Sequence, residues 1–256
     1  MEQDSFKVGD GRVPLVIGVT GDRDLRIEDA PQLESAVHSV FDQLRIDAPN
    51  TPFVLLSQLA EGADQLVAKV ALSAGSELIA PIPFLIEDYE SDFVTESSKS
   101  ELRKLASHAV KVFAVPRIRP ERRRGYTDAN IYVVRHCDVL IALWDGDASE
   151  NNGGTAQAVH FKLKGVPSSE DPGQKDFDAP ETGPVYQIVT PRKGSRKTPQ
   201  DAYALNVRLA GDRECGQKKF RRKLEYLEAY NRDVQQMKPK GKRYPLGCDR
   251  LKALNP

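Results

Sequence analysis

Three short stretches carry residue types that can hold an anionic ligand. The first is GVTGDRDL, residues 18–25. Gly18 and Gly21 permit a close backbone approach or positive φ. Thr20 brings a hydroxyl, and Arg23 can pair bidentately with a phosphate or carboxylate. The second is SQLAEGADQ, residues 57–65. Ser57 brings a hydroxyl and Gly62 a turn. Glu61 and Asp64 could accept from a ribose hydroxyl or a base amine. The third runs from Trp144-Asp145-Gly146 to Gly153-Gly154-Thr155. A Gly-Gly-Thr turn that opens a helix points backbone N–H groups and a helix dipole at an anion.

Each stretch also has an ordinary reading. A G-x-x-G after a strand makes a tight turn. Glu61 and Asp64 are acids of the kind favoured in a first helical turn. Trp144 suits sheet packing, and Thr155 suits a helix start. The three gain weight together if one fold brings them to one edge.

The elements between them give that fold. Residues 13–21 (VPLVIGVTG), 53–57 (FVLLS), 77–84 (ELIAPIPF, stopping by Pro81), 110–115 (VKVFAV), 139–144 (VLIALW) and the PVYQIVTP run read as strands. Their continuous apolar character is that of strands buried on both faces. Between them lie helical patterns. Leu33, Val37, Val40, Phe41 and Leu44 recur at three and four after Pro31, which suits a first turn. A second helix spans about 63–73, with Gly75 as its C-terminal cap. Residues 85–108 are acidic and helical in places. A helix over about 128–137 precedes the fifth strand, and Gly154-Thr155 opens another. Alternating strands and helices predict a Rossmann-like, doubly wound α/β domain with a parallel sheet over residues 13–190. Loops leaving parallel strands at their C-terminal ends share one edge, where ligands bind. Residues 191–256 are expected to form an irregular segment plus a C-terminal amphipathic helix, an appendage for oligomerisation or for a link to an effector. In that helix Phe220, Leu224, Leu227, Asn231 and Val234 make a heptad-like stripe. It either fixes a helix pair through Asn231 or packs on this domain's own sheet.

Other candidates flank the third stretch. Tyr126 could stack on a base and Asn130 could read one; both also suit a surface turn. Arg122-Arg123-Arg124 reads as a solvated loop or a phosphate contact. The four histidines lack metal-ligand spacing, so no metal and no cofactor is expected. Cys137, Cys215 and Cys248 are too far apart for a disulfide framework.

Lys plus Arg and Asp plus Glu are 37 each, so the net charge is zero. That argues against general nucleic-acid or membrane-surface binding, and no nucleic acid is expected as partner. The polar start is not a signal peptide, and no apolar run reaches 18 residues. A cytoplasmic location is expected.

The order GVTGDRDL, LLSQLAEGADQLVAKVAL, CDVLIALWDG…GGTAQAV resembles the SLOG superfamily, the Rossmann-like group named for the SMF/DprA proteins and the LOG cytokinin-activating enzymes. The third stretch looks like the LOG motif P-G-G-x-G-T-x-x-E. The resemblance implies a pocket for a nucleotide or nucleotide-derived signal. LOG enzymes hydrolyse the N-glycosidic bond of a nucleoside monophosphate, whereas other SLOG domains sense NAD-derived or cyclic nucleotides, some in antiphage effectors. The position matching the LOG glutamate is Ala158, and the position of its arginine falls at Ala129. A methyl group cannot do acid–base work, although Asp145 or Glu150 could substitute. A ligand sensor is therefore expected, with hydrolysis as the alternative. A homo-oligomer and an effector or membrane domain outside this chain are expected partners.

Overall fold

The structure is a computed structural model that describes residues 11–116, 121–146, 154–170, 182–191, 193, 201–211 and 213–237. Among the described residues seven strands form one sheet: β1 Leu15–Gly21, β2 Phe53–Leu56, β3 Glu77–Ile82, β4 Lys111–Ala114, β5 Val139–Leu143, β6 Val185–Ile188 and β7 Leu205–Arg208. Their order is β4-β3-β2-β1-β5-β6-β7. The first six run parallel, and β7 pairs antiparallel with β6. This is the doubly wound α/β class the sequence predicts.

The period of the strands sorts the core into two faces. Leu15, Ile17 and Val19 of β1 join a cluster with α1 (Ala30–Asp47), α2 (Ala63–Ser73) and α4 (Glu96–His108). Val16 on the same strand joins Leu140, Ala142 and Val133, under α5 (Arg122–His136) and α6 (Thr155–Lys164). α1 buries all five residues of its predicted stripe, with proline in its first turn. α2 ends two residues before Gly75, which takes φ +75°. A short helix α3, Ile86–Tyr89, and a single 3₁₀ turn lead toward α4, whose Thr95 cap accepts from the Ser98 N–H.

Three local expectations are corrected. β3 runs through Pro81 to Ile82, because β2 stops pairing at Ile79 and the proline falls beyond that ladder. α5 begins at Arg122 rather than near 128. Its first turn is held from outside: Arg122 pairs with Asp88 and Asp92 and lies 4.2 Å over the Phe84 ring. The segment after residue 190, expected to be irregular, contains β7, which adds to the main sheet. Of the two readings of the heptad-like stripe of α7 (Arg213–Gln236), packing on the chain's own sheet is the one observed. Leu224 is buried in the core cluster, and Phe220 and Leu227 pack against it. Asn231 bonds Val13 and Thr51, at the starts of β1 and β2.

Candidate functional site at the C-terminal edge of the sheet

The chain leaves β1 outward through β2, β3 and β4, then crosses back to place β5 on the other side of β1. The switch point thus lies between β1 and β5, where a doubly wound sheet opens a crevice. Gly21 pairs with Leu143, and the Asp22 N–H donates to the Leu143 carbonyl at 3.1 Å. The first and third stretches therefore leave the sheet side by side.

The glycines serve the chain rather than a ligand. A Cβ on Gly18 would lie 2.8 Å from Val133 Cγ1 and 2.9 Å from Cys137 Sγ, so this position admits α5. One on Gly21 would lie 2.3 Å from the Ala63 Cβ. Gly62 has φ +83°, and a Cβ there would meet the Arg23 carbonyl at 2.3 Å. These glycines bring the start of α2 against the β1 loop, where the Ala63 N–H donates to the Asp22 carbonyl. Thr20 is buried within β1, opposite Ala142.

The second stretch closes on itself. The Ser57 hydroxyl is buried, accepts from the Leu59 N–H at 3.0 Å and donates to the Asp64 carbonyl. Leu59 takes φ +58° with its side chain fully buried. The backbone N–H groups of Gln58 and Ala60, with the Ser57 hydroxyl, reach the Asp64 carboxyl. Asp64 thus fills the loop that was expected to offer it to a ribose. Burial pushes its pKa up to about 7, against the opposing pull of Arg23 and these donors. Glu61, by contrast, is half-buried at the edge. Asn130 is buried and accepts from the Gln58 amide at 2.6 Å, so the oxygen expected to read a base is taken internally.

Arg23 stands differently. It is exposed, and its guanidinium carbon lies 5.1 Å from the Tyr126 ring centroid. Burial of the guanidinium works against its charge, but Tyr89, Tyr126 and Asp64 outweigh that and hold its pKa above the ordinary value. Tyr126 donates its hydroxyl to Asp92 and packs edge-on against Phe84. Beneath it, Tyr89 is 0% exposed, and its hydroxyl has no hydrogen-bond partner among the described residues. Burial keeps that phenol protonated, with Arg23 pulling the other way. A buried hydroxyl without a hydrogen bond is costly, and this one lies close to Arg23. Tyr89 and Asp92 were not among the expected site residues. The available signal was a tyrosine hydroxyl on an otherwise apolar stripe.

In the third stretch, Trp144 is 3% exposed and packs in the sheet core, with Arg208 of β7 lying 5.3 Å over its ring. It is closed to a base. Asp145 is half-buried at the edge, and Gly146 takes φ +94°. Gly153 and Glu150 lie outside the described residues. Gly154 is the N-cap of α6, with an extended backbone and no side chain of its own to bond the first turn. Thr155 opens the helix and is not its cap. The N–H groups of this turn have the geometry that suits an anion. Ala158 is buried with Ile131 and Val134 of α5, and Ala129 is fully buried. Neither matching position faces the edge, so a carboxylate or guanidinium placed at either would be a buried charge. Arg122 and Arg124, expected as loop or phosphate contacts, pair with Asp88, Asp92 and Glu170.

Comparison with known proteins adds the following. The chain is similar to the DNA processing protein A (DprA) of Streptococcus pneumoniae, at 19% identity and a TM-score of 0.35, over 51% of this chain and 41% of that one. It is also similar to DprA of Helicobacter pylori, a protein described for its single-stranded DNA binding mode. There the identity is 16% and the TM-score 0.40, over 66% of this chain and 70% of that one. No protein-family profile and no curated protein sequence matches. The chain thus spans less than half the length of the S. pneumoniae protein. The doubly wound class itself rests on the strand order given above. Among the described residues, no helix is long and apolar enough to cross a membrane, and no cluster of His, Cys, Asp and Glu could hold a metal ion.

Proposed function

We propose that this chain is a sensor domain that binds a nucleotide-derived small molecule at the switch point between β1 and β5. The observation that carries the reading is the Arg23 corner. An exposed guanidinium lies over Tyr126 and above the buried hydroxyl of Tyr89, on the same sheet edge as the first turn of α6, whose N-cap is glycine. A cation with neighbouring hydroxyls suits a phosphate, and a helix N-terminus suits a second anionic group. Gly154 and Thr155 hold one end of the ligand, Arg23 the other, and Asp145 and Glu61 border them. Binding rather than hydrolysis is favoured because Ala129 and Ala158 are buried methyl groups.

Calorimetry with AMP, NAD, ADP-ribose and cyclic nucleotides tests this, with short single-stranded DNA in the same panel. A nucleotide that binds below millimolar, with affinity lost in Arg23→Ala, supports it. Tight binding only to single-stranded DNA, or to nothing, overturns it. A second reading, N-glycosidic hydrolysis, needs a carboxylate on this edge, and Asp145 stands there half-buried. Release of free base from a nucleoside monophosphate, lost in Asp145→Ala, would decide for that reading.

A further inference from the structure

The outward face of α7 has its own chemistry. The inward face is fixed by Asn231 to Val13, by Glu228 to Asn50 and Thr51, and by Lys223 to Asp138. All four partners lie at the starts of strands or just before them, opposite the Arg23 corner. With that side anchored, a second stripe at helical spacing points outward: Lys219, Arg222, Tyr226, Tyr230, Asp233 and Met237, all exposed. Tyr226 is 64% and Tyr230 45% exposed. Between the tyrosines, Leu227 and Val13 lies a groove of about 440 Å³ with Lys219 and Arg222 on its rim.

A rigid helix that presents two tyrosines above an apolar floor has the composition of an interface centre. The charge along the stripe selects the partner. Cations occupy its N-terminal end and Asp233 its C-terminal end. A two-fold axis between Tyr226 and Tyr230 runs two copies of the helix antiparallel. It sets Tyr226 of one copy against Tyr230 of the other, and Lys219 and Arg222 beside the second copy's Asp233 and Met237. Such an isologous patch is complementary to itself. A parallel arrangement would bring the two cationic ends together.

We infer that the exposed Tyr226–Tyr230 face of α7 is the surface through which two copies of this chain dimerise, antiparallel along that helix. The interface lies on the sheet edge opposite the ligand corner, so both sites of a dimer stay open. It also differs from the heptad-like stripe, which is spent inside each copy.

Sedimentation equilibrium of the full chain, across a hundred-fold concentration range, tests the inference. The unaltered chain should dimerise reversibly. Tyr226→Glu should weaken the dimer about thirty-fold or more, the scale of a central interface residue, with an unchanged circular dichroism spectrum because the side chain is exposed. Arg222→Glu should weaken it too, and Arg222→Glu with Asp233→Arg in the same chain should restore it. A chain that stays monomeric, because its own terminal residues or nothing at all covers the face, overturns the inference. So does a dimer indifferent to Tyr226→Glu, or a charge reversal that the second substitution does not rescue.

Discussion

The guanidinium of Arg23 lies over the ring of Tyr126, 5.1 Å from its centroid, and ties the loop after β1 to α5. A contact of this kind contributes about 0.5–1 kcal/mol where it is exposed. Arg23→Ala should therefore lower stability by no more than about that amount. Its effect on ligand affinity should be far larger, at least about ten-fold, because a charge-assisted contact to phosphate is lost. Arg23→Lys keeps the charge without the planar fork and should fall between the two. Paired urea unfolding and calorimetry separate these effects. Equal losses in stability and affinity would reduce Arg23 to a structural residue.

Asp64 makes a prediction about pH. Its ordinary value is 3.8, and burial raises it to about 7 in the folded chain, with Arg23 opposing. Between those values the folded protein holds a proton that the unfolded chain has released. The associated stability is present in full below about pH 4 and is lost as pH rises through about 7. The upper bound is about 4 kcal/mol, from 1.36 kcal/mol per pH unit. Asp64→Asn keeps an acceptor for the Gln58 and Ala60 N–H groups and removes the titration. Relative to that variant, the unaltered protein should lose stability between pH 5 and pH 8, measured by urea midpoints. No difference over the same range would show that Arg23 and the loop donors outweigh burial and keep Asp64 ionised.

Gly21 and Ala63 form a single contact, with a gap of 2.3 Å where a second Cβ would stand. Gly21→Ala should cost about 1–3 kcal/mol, the usual scale of overpacking. Adding Ala63→Gly in the same chain opens the space again and should recover a measurable part. Residue 63 is the first of α2, where glycine is less harmful than in a helix interior. A double variant less stable than Gly21→Ala alone would mean that the strain lies against the Leu143 carbonyl instead.

The sequence disclosed what continuous apolar pattern can disclose. The strands buried on both faces and the stripe of α1 could be read directly, and their alternation implied the shared edge. It could not disclose what faces a residue. Gly18 and Gly21 have the composition of a ligand loop, but their partners, Val133, Cys137 and Ala63, are distant in sequence or on another element. The exposed β7 carries no apolar run. The start of α5 is polar and is fixed by carboxylates 34 and 30 residues upstream, at Asp88 and Asp92. Tyr89 was legible as an apolar-face residue, but its unpartnered hydroxyl is a property of the fold alone.

Asn231 tests the inward packing of the α7 stripe. It is 0% exposed and treats Val13 as another strand would, accepting its N–H at 2.7 Å and donating to its carbonyl at 2.8 Å. Its amide also donates to Thr51 Oγ1 at 3.0 Å. Asn231→Leu preserves approximate size and strands these groups, at a cost of about 1–3 kcal/mol for each buried group left unmatched. Asn231→Asp keeps the acceptor, loses the donor and buries a charge, so it should be at least as harmful at neutral pH. Had Asn231 served as a register residue between two helices, leucine there would strengthen or redirect self-association. Here the residue faces its own sheet. Chemical unfolding should show the loss of stability in both variants, while sedimentation of the folded protein shows an unchanged association constant.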